Sequence, residues 1–345
     1  INSLFDKDLD KELIDPACPW KIGQLVHETL KDRDNMKDKS HSTVYHVKRV
    51  EGSAGDLWKG VRFSADLAGF DEGTEGSPRG LDWEIRLCST VKRIDFYFSA
   101  QKEILTNPEA LYVTFPFRMD GSRIVFETIG GTVDQGSQLP GSSTDWNVAQ
   151  NFVSVRGPES QIVMVSDEIP LWQFGDFNLG KFERHQPPVR PWLYSWVMNN
   201  YWTTNFRAWQ EGGFHWTYQL TTLRDTSNAA AERFARGVRN LFSTRTLPAG
   251  AGELASTKSE TLKSSGTPNV MVLSSRPDPN KPGAILLFVR EVNGATGNLS
   301  LTSAVPQRPV VKIVQVNILG DEIGGPLKVL DFKPYEQKFV RVEME

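Results

Sequence analysis

Residues 91–100 read VKRIDFYFSA, and their reading decides the fold. In an extended chain Ile94, Phe96 and Phe98 share one face, while Asp95, Tyr97 and Ser99 share the other. The same period-2 pattern recurs on both sides of this stretch. Before it stand Val44–Val50 and Trp83–Cys88. After it come Leu111–Phe117, Ile124–Ile129, Phe152–Val155 and Gln161–Val165. Turn-forming clusters at Gly69–Gly80, Gly130–Gly136 and Pro140–Ser143 separate the runs. So many strands beside so few helical patterns predict a mainly β chain, organised as a large antiparallel β-sandwich.

One helix, at most two, is expected. Ser227 or Asn228 caps AAAERFARGVRNLF, in which Phe234, Val238 and Leu241 recur at helical spacing and Arg233, Arg236 and Arg239 face water. Pro248–Pro268 is rich in Gly, Ser, Thr and Ala and reads as a loop. Strand signals then restart at Val270–Ser274, Ala284–Arg290, Leu299–Thr302, Val310–Ile318, Leu327–Leu330 and Gln337–Val342. The expected organisation is a large sandwich over residues 1–250, a linker over 251–268 and a small β-sandwich over 269–345.

The chain has 345 residues and a net charge of −3, which favours neither nucleic acid nor an anionic membrane surface. No apolar run approaches the roughly 18 residues of a membrane span. The opening INSLFDKD has no Met, no basic region and no apolar core, so it is not a signal peptide, and the chain reads as cut from something longer. Cys18 and Cys88 are the only cysteines, which excludes a disulfide scaffold and a four-cysteine zinc site. Asn298-Leu299-Ser300 fits a glycosylation sequon at the level expected by chance.

Catalytic signatures are sparse. Asp6-Lys7-Asp8-Leu9-Asp10 begins like a calcium loop, but Lys11 replaces the required Gly and Ala17 the closing Glu, so a charged hairpin turn is expected. His27, His41, His46, His185 and His215 form no metal-binding spacing, and His41 and His46 should face opposite sides of one strand. There is no GxSxG elbow and no phosphate loop. Acidic residues near aromatics are Asp145, beside Trp146, and Asp167-Glu168; residues of this kind beside turns are ordinarily solvated.

The densest chemical signal is SWVMNNYWTTNFRAWQEGGFHWTYQL, residues 195–220, within a stretch that carries five of the chain's ten tryptophans. Tyr201, Trp202, Trp209 and Trp216, mixed with Asn199, Asn200, Asn205 and Gln210, have the composition of a sugar-contacting surface. The same composition suits buried aromatic ladders braced by asparagines. Phe214, Trp216 and Tyr218 alternate as core residues do. In NNYWTTNF the alternation fails, which predicts an irregular loop fixed by hydrogen bonds.

Several segments, in order, resemble the C-terminal β region of the alpha-mannosidases of glycoside hydrolase family 38: SLFDKDLDKELID with Gly23-Gln24-Leu25-Val26, ALYVTFPF, QLPGSSTDWNVAQNFVSV, IPLWQFGDF, the aromatic stretch, and FKPYEQKFVRVEM. The resemblance spans nearly the whole chain. It implies a mutarotase-like supersandwich followed by a small β-sandwich, packed on an N-terminal catalytic barrel of the same parent chain. It also implies that the zinc ion, the Asp nucleophile and the acid/base sit chiefly on that barrel. This sequence has no βαβ alternation, so no zinc ligand, cofactor site or catalytic residue is carried over to it.

The expected function is therefore the noncatalytic β portion of a retaining alpha-mannosidase-like enzyme. Its expected partners are the barrel, mannose-containing glycans and, through oligomer contacts, further copies of itself, with no nucleic acid and no membrane. Asn199, Asn200, Tyr201, Trp202, Asn205, Trp209, Asp145 and Trp146 are the residues expected to face carbohydrate or brace the cleft. Two other classes compete. One is a self-sufficient carbohydrate-binding module. The other is a mutarotase-like epimerase or lyase, in which His46 or His215 would converge with a carboxylate on a concave sheet.

Overall fold

A computed structural model describes the chain except residues 35, 37, 44, 45, 67–77, 103, 183–189, 203 and 241–260. The turn cluster ahead of Pro78, His185, Leu241 and the first part of the expected linker thus lie outside the described residues. The chain divides into two compact units. The first holds Ile1–Ile129, Val133–Thr226 and Phe234–Arg239, and the second holds Gly130–Thr132, Ser227–Arg233 and Asn240–Glu345.

In chain order the strands before the helix are β1 Phe5–Asp6, β2 Lys11–Glu12, β3 Gln24–Leu30, β4 Lys39–Thr43, β5 His46–Gly55, β6 Trp58–Asp66, β7 Pro78–Cys88, β8 Ile94–Lys102, β9 Glu109–Pro116, β10 Arg123–Thr128, β11 Gly131–Asp134, β12 Asn147–Val148, β13 Val153–Arg156, β14 Gln161–Val165, β15 Leu171–Phe174, β16 Trp192–Asn199 and β17 Gly212–Leu223. β1 and β2 form a hairpin. A nine-stranded sheet runs β11-β10-β13-β14-β17-β8-β7-β6-β5, and a six-stranded sheet runs β12-β15-β16-β9-β3-β4. The pairings at its centre, β17 with β8 and β8 with β7, are antiparallel, as are β9 with β3 and β16. The large antiparallel sandwich is as the alternation implies.

Side-chain period places the core. Phe96 and Phe98 on β8 align with Tyr218 and Trp216 on β17, and all four are buried. They meet the six-stranded sheet through rings: Phe115 lies 5.6 Å from Phe96 and 4.9 Å from Tyr218, and Phe126 lies 5.7 Å from Phe174. The Tyr218 hydroxyl donates to Ser195 Oγ at 2.8 Å, which satisfies a polar tip inside an apolar layer. β9 is buried at every position. Leu111, Val113 and Phe115 enter the inter-sheet core, while Ala110 and Tyr112 enter a second cluster with Val26, Phe177, Tyr194, Trp196 and Tyr201 on the sheet's other face. A strand covered on both sides needs a continuous apolar run, and ALYVTFPF supplies one.

The helix α1 spans Asn228–Arg239, and Ser227 Oγ accepts the Ala230 N–H at 3.1 Å as its N-cap. Arg239, expected to face water, instead pairs with Asp167 at 2.5 Å and donates to Asn151 Oδ1 at 2.7 Å. The expected charged turn at Asp6 is a hairpin in which Asp6 Oδ1 accepts the N–H groups of Asp8 and Leu9 at 2.9 and 3.0 Å. His41 lies on β4 and His46 on β5, in different sheets, because the chain crosses over between them rather than continuing as one strand.

The second unit is itself a small sandwich. Its strands are β18 Leu262–Gly266, β19 Val270–Pro277, β20 Ala284–Glu291, β21 Gly297–Ser303, β22 Val310–Val316, β23 Leu330–Phe332 and β24 Gln337–Met344. They make sheets β18-β21-β23 and β19-β20-β24-β22, which enclose Val289, Leu299, Leu330, Val340 and Val342. Leu262–Gly266 falls in the stretch read as linker; it is a strand paired along β21, where its small polar residues leave a mostly exposed edge.

Candidate functional site

The loop after β16 carries most of the residues expected from the sequence to face carbohydrate or brace a cleft. Asn200 is buried, and its side chain is saturated. Oδ1 accepts the Glu109 N–H at 2.7 Å, and Nδ2 donates to the carbonyls of Leu105, Asn107 and Ala208 at 2.9, 2.9 and 3.1 Å. Asn199 Oδ1 accepts the Tyr201 N–H at 3.4 Å, and Asn205 holds a left-handed backbone at φ 68° with its side chain exposed. Asn199 and Asn200 brace backbone, as the broken alternation implies, whereas the exposed Asn205 supplies only the left-handed turn.

The aromatic residues divide by exposure. Tyr201 is buried, while Trp202 and Trp146 are 36% and 38% exposed. Their ring centroids are 6.2 Å apart, and each lies within 6.2 Å of buried Trp196, at 6.2 and 6.1 Å. Two half-exposed indoles thus stand on a packed aromatic floor, which continues through Tyr112, 6.0 Å from Trp196. Among the described residues the Trp196 indole N–H has no acceptor. Trp209 is exposed and has no ring contact with this group among the described residues; Trp216, by contrast, is core.

Asp145 is not a solvated acid. It is buried, and Oδ2 accepts the N–H groups of Gly180 and Phe182 at 3.0 Å each, tying the loop after β15 to the loop that carries Trp146. Asp167 is engaged with Arg239, and Glu168 accepts the Thr217 N–H at 3.1 Å, so these two neighbours serve different structural bonds.

Under the aromatic floor lies a carboxylate that the sequence reading missed. Glu28 on β3 has no exposed surface. Its Oε2 accepts from His41 at 2.6 Å, and its Oε1 accepts from Tyr201, lies 3.3 Å from the Tyr112 hydroxyl and 3.6 Å from Lys39 Nζ. Gln173 continues the network, donating to the Tyr112 hydroxyl at 2.8 Å and accepting the Leu179 N–H at 3.1 Å. Burial alone would raise the Glu28 pKa, but the bond from His41, the charge of Lys39 and the Tyr201 hydroxyl hold it below the ordinary value. Burial, then the neighbouring Tyr112 and Glu28, drives Tyr201 well above the usual phenol range, so it remains a donor. The signal was legible: in QLVHETL, Val26, Glu28 and Leu30 share one face, which sets an acid in an apolar row. On the opposite face Glu109 is bonded to His27 at 2.8 Å and to Lys102 at 2.5 Å, and all three are buried.

Chemically, this is a rigid face. Glu28 itself is wholly buried with its donors in place, and it ties β3 to β4 and to the loop after β16. The exposed indole faces are the groups that can meet a ligand, by stacking on apolar C–H surfaces. Among the described residues no three His, Cys, Asp or Glu side chains gather as metal ligands. His46 and His215 are both exposed on the nine-stranded sheet, on β5 and β17, with three strands between them. At about 4.8 Å per strand spacing they stand roughly 19 Å apart and do not converge.

The two-sheet antiparallel sandwich followed by a small sandwich has counterparts among solved structures. The chain is similar in fold to an alpha-mannosidase from Enterococcus faecalis V583, with a TM-score of 0.72 and 13% identity over 99% of this chain. A glycosyl hydrolase family 38 protein from Enterococcus faecalis gives a TM-score of 0.70 at 12% identity over 99% of this chain. The chain spans only 40% and 42% of the length of those two proteins. No protein-family model matches it, and no curated protein matches it.

Proposed function

We propose that this chain is the noncatalytic, C-terminal β portion of an alpha-mannosidase-like glycoside hydrolase. The supporting observation is the fold likeness over 99% of this chain to only 40% of an alpha-mannosidase. In this reading the rest of such a protein carries a zinc-dependent catalytic barrel, and the face bearing Trp146 and Trp202 braces that barrel or completes the wall of its sugar cleft. The indoles stack on sugar rings or on the barrel surface. Asn200, Asp145 and Glu28 fix the loops that present them. Hydrolysis, with zinc holding sugar hydroxyls, belongs to the barrel.

Assay of an aryl α-mannoside, with and without zinc, tests the reading. This chain alone is expected to be inactive, and the product of a reading frame extended upstream of Ile1 to be active. Turnover by this chain alone overturns it.

A second reading, a self-sufficient carbohydrate-binding module, draws on the half-exposed Trp146 and Trp202. It predicts that mannan or mannose binds this chain and perturbs its tryptophan fluorescence, and that Trp202→Ala abolishes the effect.

A further inference from the structure

The nine-stranded sheet is wider than the six-stranded sheet facing it. The difference shows in exposure along each apolar row. One row runs from Tyr218 and Phe96 through Ile85 to Val61, and exposure rises from 0% and 1% to 6% and 37%. The next runs from Trp216, Phe98 and Trp83 past Phe63 to Val50, which is 59% exposed. Both rows run out at β5, which among the described residues is an edge strand; its ten residues are exposed along most of their length. Its pairing with β6 is regular from Arg49 to Gly55. On the face opposite Val50 it carries the exposed Arg49 and the partly exposed Glu51, ion-paired to each other.

We propose that a second copy of this chain docks on β5, edge to edge and antiparallel, about a two-fold axis through Val50. An unpaired edge presents N–H and C=O groups that a second strand can satisfy, and an isologous contact requires the strand to complement itself. β5 does so in one register. With the axis at Val50, Arg49 stands opposite Glu51 of the second copy and Glu51 opposite its Arg49, so the four charges alternate. Val50 stacks on Val50, and the uncovered apolar row continues into the second copy. An axis at Arg49 or at Glu51 sets like charges directly across from each other, which is destabilising. Charges on an edge strand ordinarily prevent pairing; in this sequence their order selects a pairing instead. The contact uses no residue of the aromatic face, so it does not depend on the reading of function given above.

Sedimentation velocity on the whole chain, across a wide concentration range, tests the proposal with charge reversals. Arg49→Glu and Glu51→Arg, each alone, are expected to weaken dimerisation by about tenfold or more, since each sets like charges opposite at two symmetric places. The combined Arg49→Glu, Glu51→Arg variant is expected to regain the wild-type dissociation constant. Arg49 is exposed, while Glu51 is partly buried and stands opposite Arg62 on β6, so thermal melts of each variant accompany the sedimentation runs and separate loss of fold from loss of contact. Val50→Cys is expected to form a disulfide-linked dimer under mild oxidation, whereas Glu51→Cys is not. A chain that is monomeric at every concentration, or a dimer indifferent to either reversal, overturns the proposal.

Discussion

The Tyr201 hydroxyl donates to Glu28, joining the loop after β16 to a carboxylate on β3 that has no exposed surface. The loop that presents Trp202 is thereby bonded to the interior of the unit. Hydrogen bonds to charged groups contribute about 1.5–3 kcal/mol each. Tyr201→Phe keeps the ring and removes only the donor, so it should cost about that much in urea unfolding. A cost below roughly 0.5 kcal/mol would mean that His41, Tyr112 and Lys39 already suffice.

Asn200 should be less tolerant still. Its amide serves one buried N–H and three carbonyls, and alanine leaves the Glu109 N–H without its acceptor. An unsatisfied buried group costs about 1–3 kcal/mol, so Asn200→Ala should lose at least that much and expose residues 200–209 to proteolysis. Asn200→Asp keeps an acceptor but faces a charge toward three carbonyl oxygens, and should be no more stable than the alanine variant. Unchanged melting and cleavage patterns in both variants would remove the bracing role.

Much of this was legible in the sequence. Period-2 alternation located the sandwich because each face of a strand meets one environment, as Phe96 and Phe98 do in the core. Failure of that alternation in NNYWTTNF located the braced loop. What stayed hidden was pairing between distant segments. Glu28 and Tyr201 are 173 residues apart, and no local pattern links them. Asp145 read as a surface acid because its partners, the backbone groups of Gly180 and Phe182, have no side-chain signature. Trp202 and Trp209 have the same composition value and different surroundings, which packing alone decides.

Acid sensitivity should trace in part to Glu84 on β7. The bond from Arg86, at 2.7 Å, outweighs burial, and with Arg62 at 3.2 Å it lowers the carboxyl from 4.5 to about 2. Arg86 is itself held between Trp58 and Tyr97, 4.1 and 4.4 Å from their rings. A depressed folded-state pKa stabilises the fold above the unfolded value and ceases to do so as pH falls through the folded value. The contribution of Glu84 should therefore be complete above pH 4.5 and decline toward about 2. Urea titrations at stepped pH should show that decline flattened in Glu84→Gln, which has no charge to lose. Parallel curves for the two proteins would assign the acid transition elsewhere.

In the second unit a different kind of buried carboxylate, Glu291, stands at the end of β20 and closes turns. It is wholly buried, and its two oxygens receive five donors: Asn269 Nδ2 at 2.8 Å and the N–H groups of Asn293, Gly294, Ala295 and Tyr335 at 2.7, 2.9, 3.2 and 2.8 Å. One carboxylate thus closes the turn after β20 and anchors the turn before β24. Gly294 completes the arrangement, because its φ of +72° and the Tyr335 ring, 2.8 Å from where a Cβ would stand, admit only glycine. Glu291→Gln is the informative change. It conserves volume but replaces an acceptor with an NH₂ group facing N–H donors, so it creates clashes where alanine creates vacancies. Loss of charge-assisted bonds predicts a destabilisation of about 2–4 kcal/mol for either variant, confined to this unit. Calorimetry should then resolve a lowered transition for the small sandwich beside an unshifted one for the large, because separate units need not unfold as one. A Glu291→Gln protein that melts as the wild type does would show that the turns close without the carboxylate.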